Sequence, residues 1–253
     1  MEMNTWQKTR KRHLALIEEV EKELPPTTLH ITKNSKTGVS IDFPAHLTCA
    51  PTRVCMGVGK GAAPCYALSG YMTMAQVVKC QARDQRLADY LVNAPIAQVW
   101  RVVNSLQEDL PSGLEFIRWN GAGDLTLGAC MLINCITFSR PDLRLWVVSR
   151  KPEMVTQLSD RPSLQLILSL DHSTPILTAH RLRAARYSFI EGRAQLSYTR
   201  VSEEDTPPED IDIVFNKHSG GRFNGWPHPK VCVGTLPGRS HENACEACGR
   251  CFR

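Results

Sequence analysis

Hydrophobic and polar positions change period several times along the chain, and each change marks an element. Over residues 4–24 apolar side chains recur at helical spacing (Trp6, Leu14, Leu16, Ile17, Val20, Leu24). This predicts an amphipathic helix, which Pro25-Pro26 stops. Two short β-like runs follow, Thr28-Leu-His-Ile-Thr32 and Gly38-Val-Ser-Ile-Asp-Phe43. Residues 74–92 and 95–109 read as helices rich in Ala, Gln, Val, Leu and Arg, with Pro95 where a first turn tolerates it. Beyond them, strands expected at 114–119, 143–149 and 164–171 alternate with helices at 125–138, 152–158 and 176–184. Arg186-Tyr-Ser-Phe-Ile190 reads as a further strand, and 195–201 and 211–215 as the last two.

Strands alternating with helices argue for βα units and a parallel sheet. Interiors such as Leu-Trp-Val-Val and Leu-Ile-Leu are continuously apolar, as strands covered on both faces require. With no evident reversal point, the expected fold is α/β: a partial or full parallel (β/α) barrel with a cysteine-rich C-terminal extension. Three parts are expected: an N-terminal helix and strand (1–37), the barrel-like core (38–215) and a cysteine-rich metal-binding segment (216–253). The acidic stretch at 202–210 is a solvated turn.

The 253 residues are enough for one sizeable core, and 42% hydrophobic with 22% charged residues is the balance of a soluble globular protein. No apolar run is long enough to cross a bilayer, and the N-terminus lacks the apolar core of a secretory signal. A cytoplasmic protein with no membrane partner is therefore expected. A net charge of +5 permits a nucleic-acid partner without demanding one. Cations gather at 8–12, 180–186 and 217–230; solvated faces are the plain reading of each group taken singly.

Ten cysteines in a reducing compartment do not form a disulfide framework, and their clustering points instead to metal. Cys245, Cys248 and Cys251 form a Cys-x2-Cys-x2-Cys run, with Cys232 thirteen residues upstream. Four thiolates complete either a zinc site or an auxiliary [4Fe–4S] cluster. The triple knuckle beside a lone fourth cysteine favours iron–sulfur over a zinc ribbon, and zinc stays open as the alternative. A second group, Cys49, Cys55 and Cys65, spaced by five and then nine residues, lies in a loop rich in Gly and Pro. Cys130 and Cys135 stand in an apolar stretch and read as buried small hydrophobes. The run Gly57-Val-Gly-Lys-Gly61 is no phosphate loop, because Gly61 stands where Ser or Thr would hold magnesium.

A barrel presents its functional residues at the C-terminal ends of its strands. The cysteine loop, Gly121-Ala-Gly123-Asp124, Ser149-Arg-Lys and Ser169-Leu-Asp171-His172 all fall there and should surround one cavity. Arg118, Arg150 and Lys151 could hold a carboxylate of substrate or cofactor, or pair with neighbouring acids. His172 and His180 read as surface residues before acid/base groups.

On these residues the chain resembles the radical SAM superfamily over about residues 38–190, plus the tail. It is also similar to a phage family with a Cys-Tyr-Ala loop, here Cys65-Tyr66-Ala67, and a cysteine-rich C-terminal end. The resemblance implies that Cys49, Cys55 and Cys65 bind a [4Fe–4S] cluster whose open iron takes the amino and carboxylate groups of S-adenosylmethionine (SAM). It implies that Gly121, Gly123 and Asp124 stand for the turn that meets the SAM amino group. Ser169 and Asp171 match a strand ending of the family, and Ser149 is placed with them in cofactor binding. The expected activity is reductive SAM cleavage by way of a 5′-deoxyadenosyl radical. That radical abstracts hydrogen from substrate, possible substrates including a hypermodified base in phage DNA that is rearranged. An electron donor is required, and the compartment becomes the host cytoplasm for a phage-encoded chain. The family's commonest cysteine spacing is three and then two, so this loop is longer. No catalytic side chain is assigned. Two rivals stand beside this reading: a zinc-dependent nucleic-acid-binding protein without catalysis, and a purely structural iron–sulfur protein.

Overall fold

A computed structural model of the chain describes residues 5–23, 26–34, 38–58, 65, 67, 70–190, 193–202, 204–216 and 232. Helix α1 (Thr5–Glu21) turns His13, Ile17 and Val20 inward. Strand β1 (Thr32–Asn34) then pairs antiparallel with β2 (Gly38–Ile41). Three helices follow before the next strand: the single turn α2 (Ala45–Thr48), then α3 (Ala75–Leu91) and α4 (Ile96–Asp109), with a 3-10 turn at Gly70–Thr73 ahead of α3.

From β2 onward every strand is parallel to its predecessor: β3 (Phe116–Trp119), β4 (Arg144–Ser149), β5 (Leu164–Leu170), β6 (Ala194–Arg200) and β7 (Ile213–Asn216). The sheet order is β1-β2-β3-β4-β5-β6-β7, the order of the chain. Helices α5 (Leu127–Ser139), α6 (Pro152–Val155) and α7 (Ile176–Arg186) fill the crossovers from β3 to β6. All the parallel strands therefore point their C-terminal ends to one side, which is what gathers the site residues.

The sheet is open, so a full barrel is corrected. Closure would need β7 to reach the free edge of β2, and β1 already occupies that edge through the register Thr32↔Ser40. Two further expectations change. Residues 186–190 are not a strand: Leu182, Ala185 and Phe189 keep a helical spacing of buried positions, so the chain stays in α7 and its closing turn. The strand expected from Thr28 begins only at Thr32, because the His30 backbone N–H donates to the Asp84 carboxylate of α3 at 2.9 Å instead of entering a ladder.

The two faces of the sheet differ. Ile41, Trp119, Val147, Leu166, Leu168 and Leu196 pack under the helices in one large core with Leu91, Leu106, Leu132 and Ile136. Among the described residues, the opposite face carries a small apolar cluster, Trp146, Ile167 and Ile213, with Val148, Phe215 and Cys232 against it. Around that cluster lie the buried polar side chains Ser40, Asp42, Asn120, Ser169 and Ser197. Ile17 and Val20 of helix α1 pack on Val78 and Ala82 of α3, and β1 pairs with β2.

Candidate active site

Four strand ends and the cysteine loop are sewn together by side-chain hydrogen bonds. Asp124, after β3, is buried, and its carboxylate accepts from Leu125 N–H (2.7 Å), Ser149 Oγ (2.6 Å) and Arg150 N–H (3.2 Å). Its own N–H donates to Thr48 Oγ1 at 2.9 Å, one residue before Cys49. Burial pushes the Asp124 carboxyl up, and the hydrogen bonds from Ser149 and the backbone oppose that shift without cancelling it. Asp124 and Ser149 thus tie β3, β4 and the start of the cysteine loop into one unit.

The turn that presents Asp124 is clamped from β2. The Ala122 N–H donates to Asp42 Oδ1 at 2.8 Å, and the Ala122 carbonyl accepts from Phe43 N–H at 3.0 Å. Glycine is required at Gly123, where φ is +84° and a Cβ would lie 2.6 Å from the Phe43 carbonyl oxygen. Asn120, just ahead, holds a left-handed φ of 63°. It donates Nδ2 to the Val148 carbonyl at 3.2 Å, while its buried Oδ1 has no hydrogen-bond partner among the described residues. Strain of this kind in a non-glycine residue gathers at functional turns.

At the ends of β4 and β5, Arg150 and Asp171 form a buried ion pair at 2.5 Å. Thr52 of the cysteine loop donates to the same Asp171 oxygen at 2.6 Å. The other Asp171 oxygen accepts from Ser173 N–H and Oγ, both at 2.8 Å, and Ser173 Oγ accepts from Val54 N–H at 3.1 Å. Burial raises the Asp171 carboxyl, but Arg150, Thr52 and Ser173 outweigh it and hold the group below the ordinary carboxylate range.

The three thiols enter this same neighbourhood. Cys65 N–H donates to the Cys55 carbonyl at 2.9 Å, and Cys55 N–H donates to Thr52 Oγ1 at 3.3 Å. The Cys49 thiol is pushed well up, first by burial and then by negative charge on Asp124, Cys65 and Cys55, against the pull of Arg150. Burial disfavours the charged form of Arg150, but Cys55, Asp171 and Asp124 overcome it and hold the guanidinium charged. Cys49, Cys55, Cys65, Asp124, Arg150 and Asp171 therefore share one electrostatic environment. They are not drawn into a closed centre: among the described residues no three His, Cys, Asp or Glu side chains could hold a metal ion. The donor set fits an iron–sulfur cluster in kind, three thiols with a compensating cation beside them.

Cys232 lies on the polar face of the sheet, where its N–H donates to the Val214 carbonyl at 2.8 Å and its side chain packs against the Trp146 cluster. Cys245, Cys248 and Cys251 fall outside the described residues. Gly121 lies against Asp42, and Ser169 stands opposite Ser197 in the β5–β6 register. His172 is exposed, 3.5 Å from Asp205, and His180 is exposed.

Several residues of this region carry no signal in the sequence: Thr48, Thr52, Asp42 and Asn120 act through partners far along the chain. Arg118, whose guanidinium lies 4.7 Å over the Trp146 ring, faces the polar side of the sheet. His30 and Asp84 form a pair at 2.7 Å beside β1, the imidazole half-exposed and the carboxylate buried.

Among the described residues no helix is long and apolar enough to cross a membrane. No curated protein and no solved structure matches the chain. A family model, Gene product 88, matches residues 6–253, and the chain therefore belongs to the Gene product 88 family.

Proposed function

We propose that the chain is a radical SAM enzyme acting on a substrate carried by nucleic acid, a hypermodified base in DNA being the class favoured by its resemblance to a phage family. The observation that carries this reading is the shared environment of Cys49, Cys55, Cys65 and Arg150 at the C-terminal ends of consecutive parallel strands. The open, sequentially ordered sheet supports it further, as six of its strands run in the order of a partial (β/α) barrel.

In this reading Cys49, Cys55 and Cys65 hold a [4Fe–4S] cluster. Together with an external one-electron donor, such a cluster would supply the electron for reductive cleavage of SAM. The protein's own residues do the rest. Arg150 offsets the negative charge of three thiolates and is available to a carboxylate. Asp171, held ionised, fixes Arg150 and anchors Thr52, so the loop carrying the thiols cannot drift from β5. Asp124 and Ser149 set the Gly121–Asp124 turn, whose glycines let its backbone close on Asp42 and Phe43, and this turn would meet the cofactor's amino group. Asn120 Oδ1, Ser169 and Ser197 supply polar contacts on the sheet face toward which a substrate would lie.

The thiols at Cys232, Cys245, Cys248 and Cys251 hold a second [4Fe–4S] cluster in this reading, with zinc as the alternative. Anaerobic purification with metal and sulfide analysis tests it. About four or about eight irons per chain, with matching sulfide, are expected for one or two clusters. Colourless protein with one zinc and no iron would instead favour a zinc-dependent nucleic-acid-binding protein without catalysis.

A further inference from the structure

Many arginines of this protein meet an acid, while others, such as Arg101 and Arg181, stand singly, exposed and without an ion pair among the described residues. Arg83, Arg140, Arg183, Arg186 and Arg193 are each paired with an acid: Glu23, Asp142, Asp210, Asp212 and Asp160. The cations of α1 are different. Lys8, Arg10, Lys11 and Arg12 are all exposed, and none of them forms an ion pair among the described residues. Arg10 rests over the Trp6 ring at 5.8 Å; the other three project from the helix.

Helix stability does not account for this placement. The four cations occupy the first half of α1, while Glu18, Glu19 and Glu21 occupy its end, which is the reverse of what the helix macrodipole favours. Nor do the cations decorate a membrane-binding helix. The apolar positions Ile17 and Val20 are already spent against Val78 and Ala82, and the exposed neighbours Thr5, Gln7 and Ala15 have nothing large and apolar to insert.

We propose that the exposed first half of α1 is a docking surface for the phosphodiester backbone of DNA. Its position fits that partner. Trp6 and His13 meet the His46 ring edge-on at 5.4 and 4.8 Å, and His46 lies on α2, whose next residue is Cys49. The helix that carries these cations therefore packs, through its inward face, directly on the turn that leads into the cysteine loop. The proposal rests on the reading above and deepens it by assigning the surface that holds the polymer, and it can fail separately from it.

The test is anisotropy of a labelled DNA duplex titrated with the whole chain between 50 and 200 mM KCl. Four phosphate contacts give a log–log salt slope of about −3.6, roughly a 150-fold loss of affinity over that range. The double variant K11E/R12E is compared with R101E/R181E, which changes two exposed arginines on α4 and α7 and the net charge by the same amount. Far-ultraviolet circular dichroism and thermal melting check that both remain folded. K11E/R12E is expected to bind about 100-fold more weakly at 100 mM KCl with a slope shallower by about 2, and R101E/R181E less than tenfold more weakly. Equal weakening by the two doubles overturns the proposal, as does an unchanged slope in K11E/R12E. Binding to phosphatidylserine vesicles with no binding to duplex overturns it too. Duplex binding is read without SAM, and SAM cleavage is read without duplex, so a failure of SAM cleavage and a failure of docking are separate results.

Discussion

Arg150 and Asp171 meet at 2.5 Å across the ends of adjacent parallel strands, and Thr52 of the cysteine loop closes the triangle on the same carboxylate oxygen. Their side chains are 17% and 0% exposed, so this pair joins a charge-compensating cation to the loop it compensates and does so away from bulk water.

Asp171→Asn should therefore be costly. Removing one member of a buried pair leaves the other charge uncompensated, a loss of about 3–5 kcal/mol in comparable cases. For a chain of this size that lowers Tm by roughly 6–20 °C, read by differential scanning calorimetry. The Asp171 carboxyl is held below its ordinary value when folded, so its contribution is complete above the unfolded pKa and disappears as pH falls through the folded one. The parent should lose stability at acid pH more steeply than Asp171→Asn.

The His30–Asp84 pair predicts the opposite pH slope. Burial lifts Asp84 to about 6 although His30 opposes it, and the hydrogen bond that His30 donates to the Asp84 carboxylate lifts His30 although burial opposes it. Both groups then hold protons more tightly folded than unfolded. Stability should fall as pH rises from about 4 through about 6 for Asp84, and on through the raised histidine value. Asp84→Asn should flatten that slope in urea titrations at pH 4.5, pH 6 and pH 8. It should also move the His30 ring resonance, followed by NMR, to a lower titration midpoint.

At Gly123 the backbone itself sets the residue. A Cβ there would lie 2.6 Å from the Phe43 carbonyl oxygen and 2.7 Å from Thr48 Oγ1, at a φ of +84°. Gly123→Ala should destabilise by about 3 kcal/mol, from a left-handed conformation and a clash with atoms that cannot yield. Urea denaturation reads this directly. A change under 1 kcal/mol would mean that the turn relaxes freely and does not clamp Asp124.

Much of the scaffold is legible in the chain because it is local. The α1 stripe, the helices α3, α4 and α5 and the apolar cores of β4 and β5 follow from spacing within ten or fifteen residues. The strand expected at 186–190 fails for a local reason too: Tyr187 and Ile190 are β-formers, but both are exposed, while Leu182, Ala185 and Phe189 carry the buried helical stripe. Closure of the sheet is not local. It depends on the β1 hairpin occupying one edge of β2, and nothing in Thr32-Lys-Asn announces that.

The site divides along the same line. Asp124, Ser149, Arg150 and Asp171 stand out as polar strand ends, and they do converge. Their organisers do not stand out. Thr52 reaches Asp171 across 119 residues, Ala122 reaches Asp42 across 80, and His30 reaches Asp84 across 54. A lone Thr or Asn in a loop has no pattern that reveals a partner so distant. The expected tail ligands Cys245, Cys248 and Cys251 lie outside the described residues, while Cys232 covers the polar sheet face.

The most direct test of the central claim is formation of 5′-deoxyadenosine from SAM by anaerobically isolated, chemically reduced protein, compared with its Cys65→Ala variant. The account predicts steady product from the parent and none above background from the variant. No product from iron-loaded parent, or equal product from both, would contradict it.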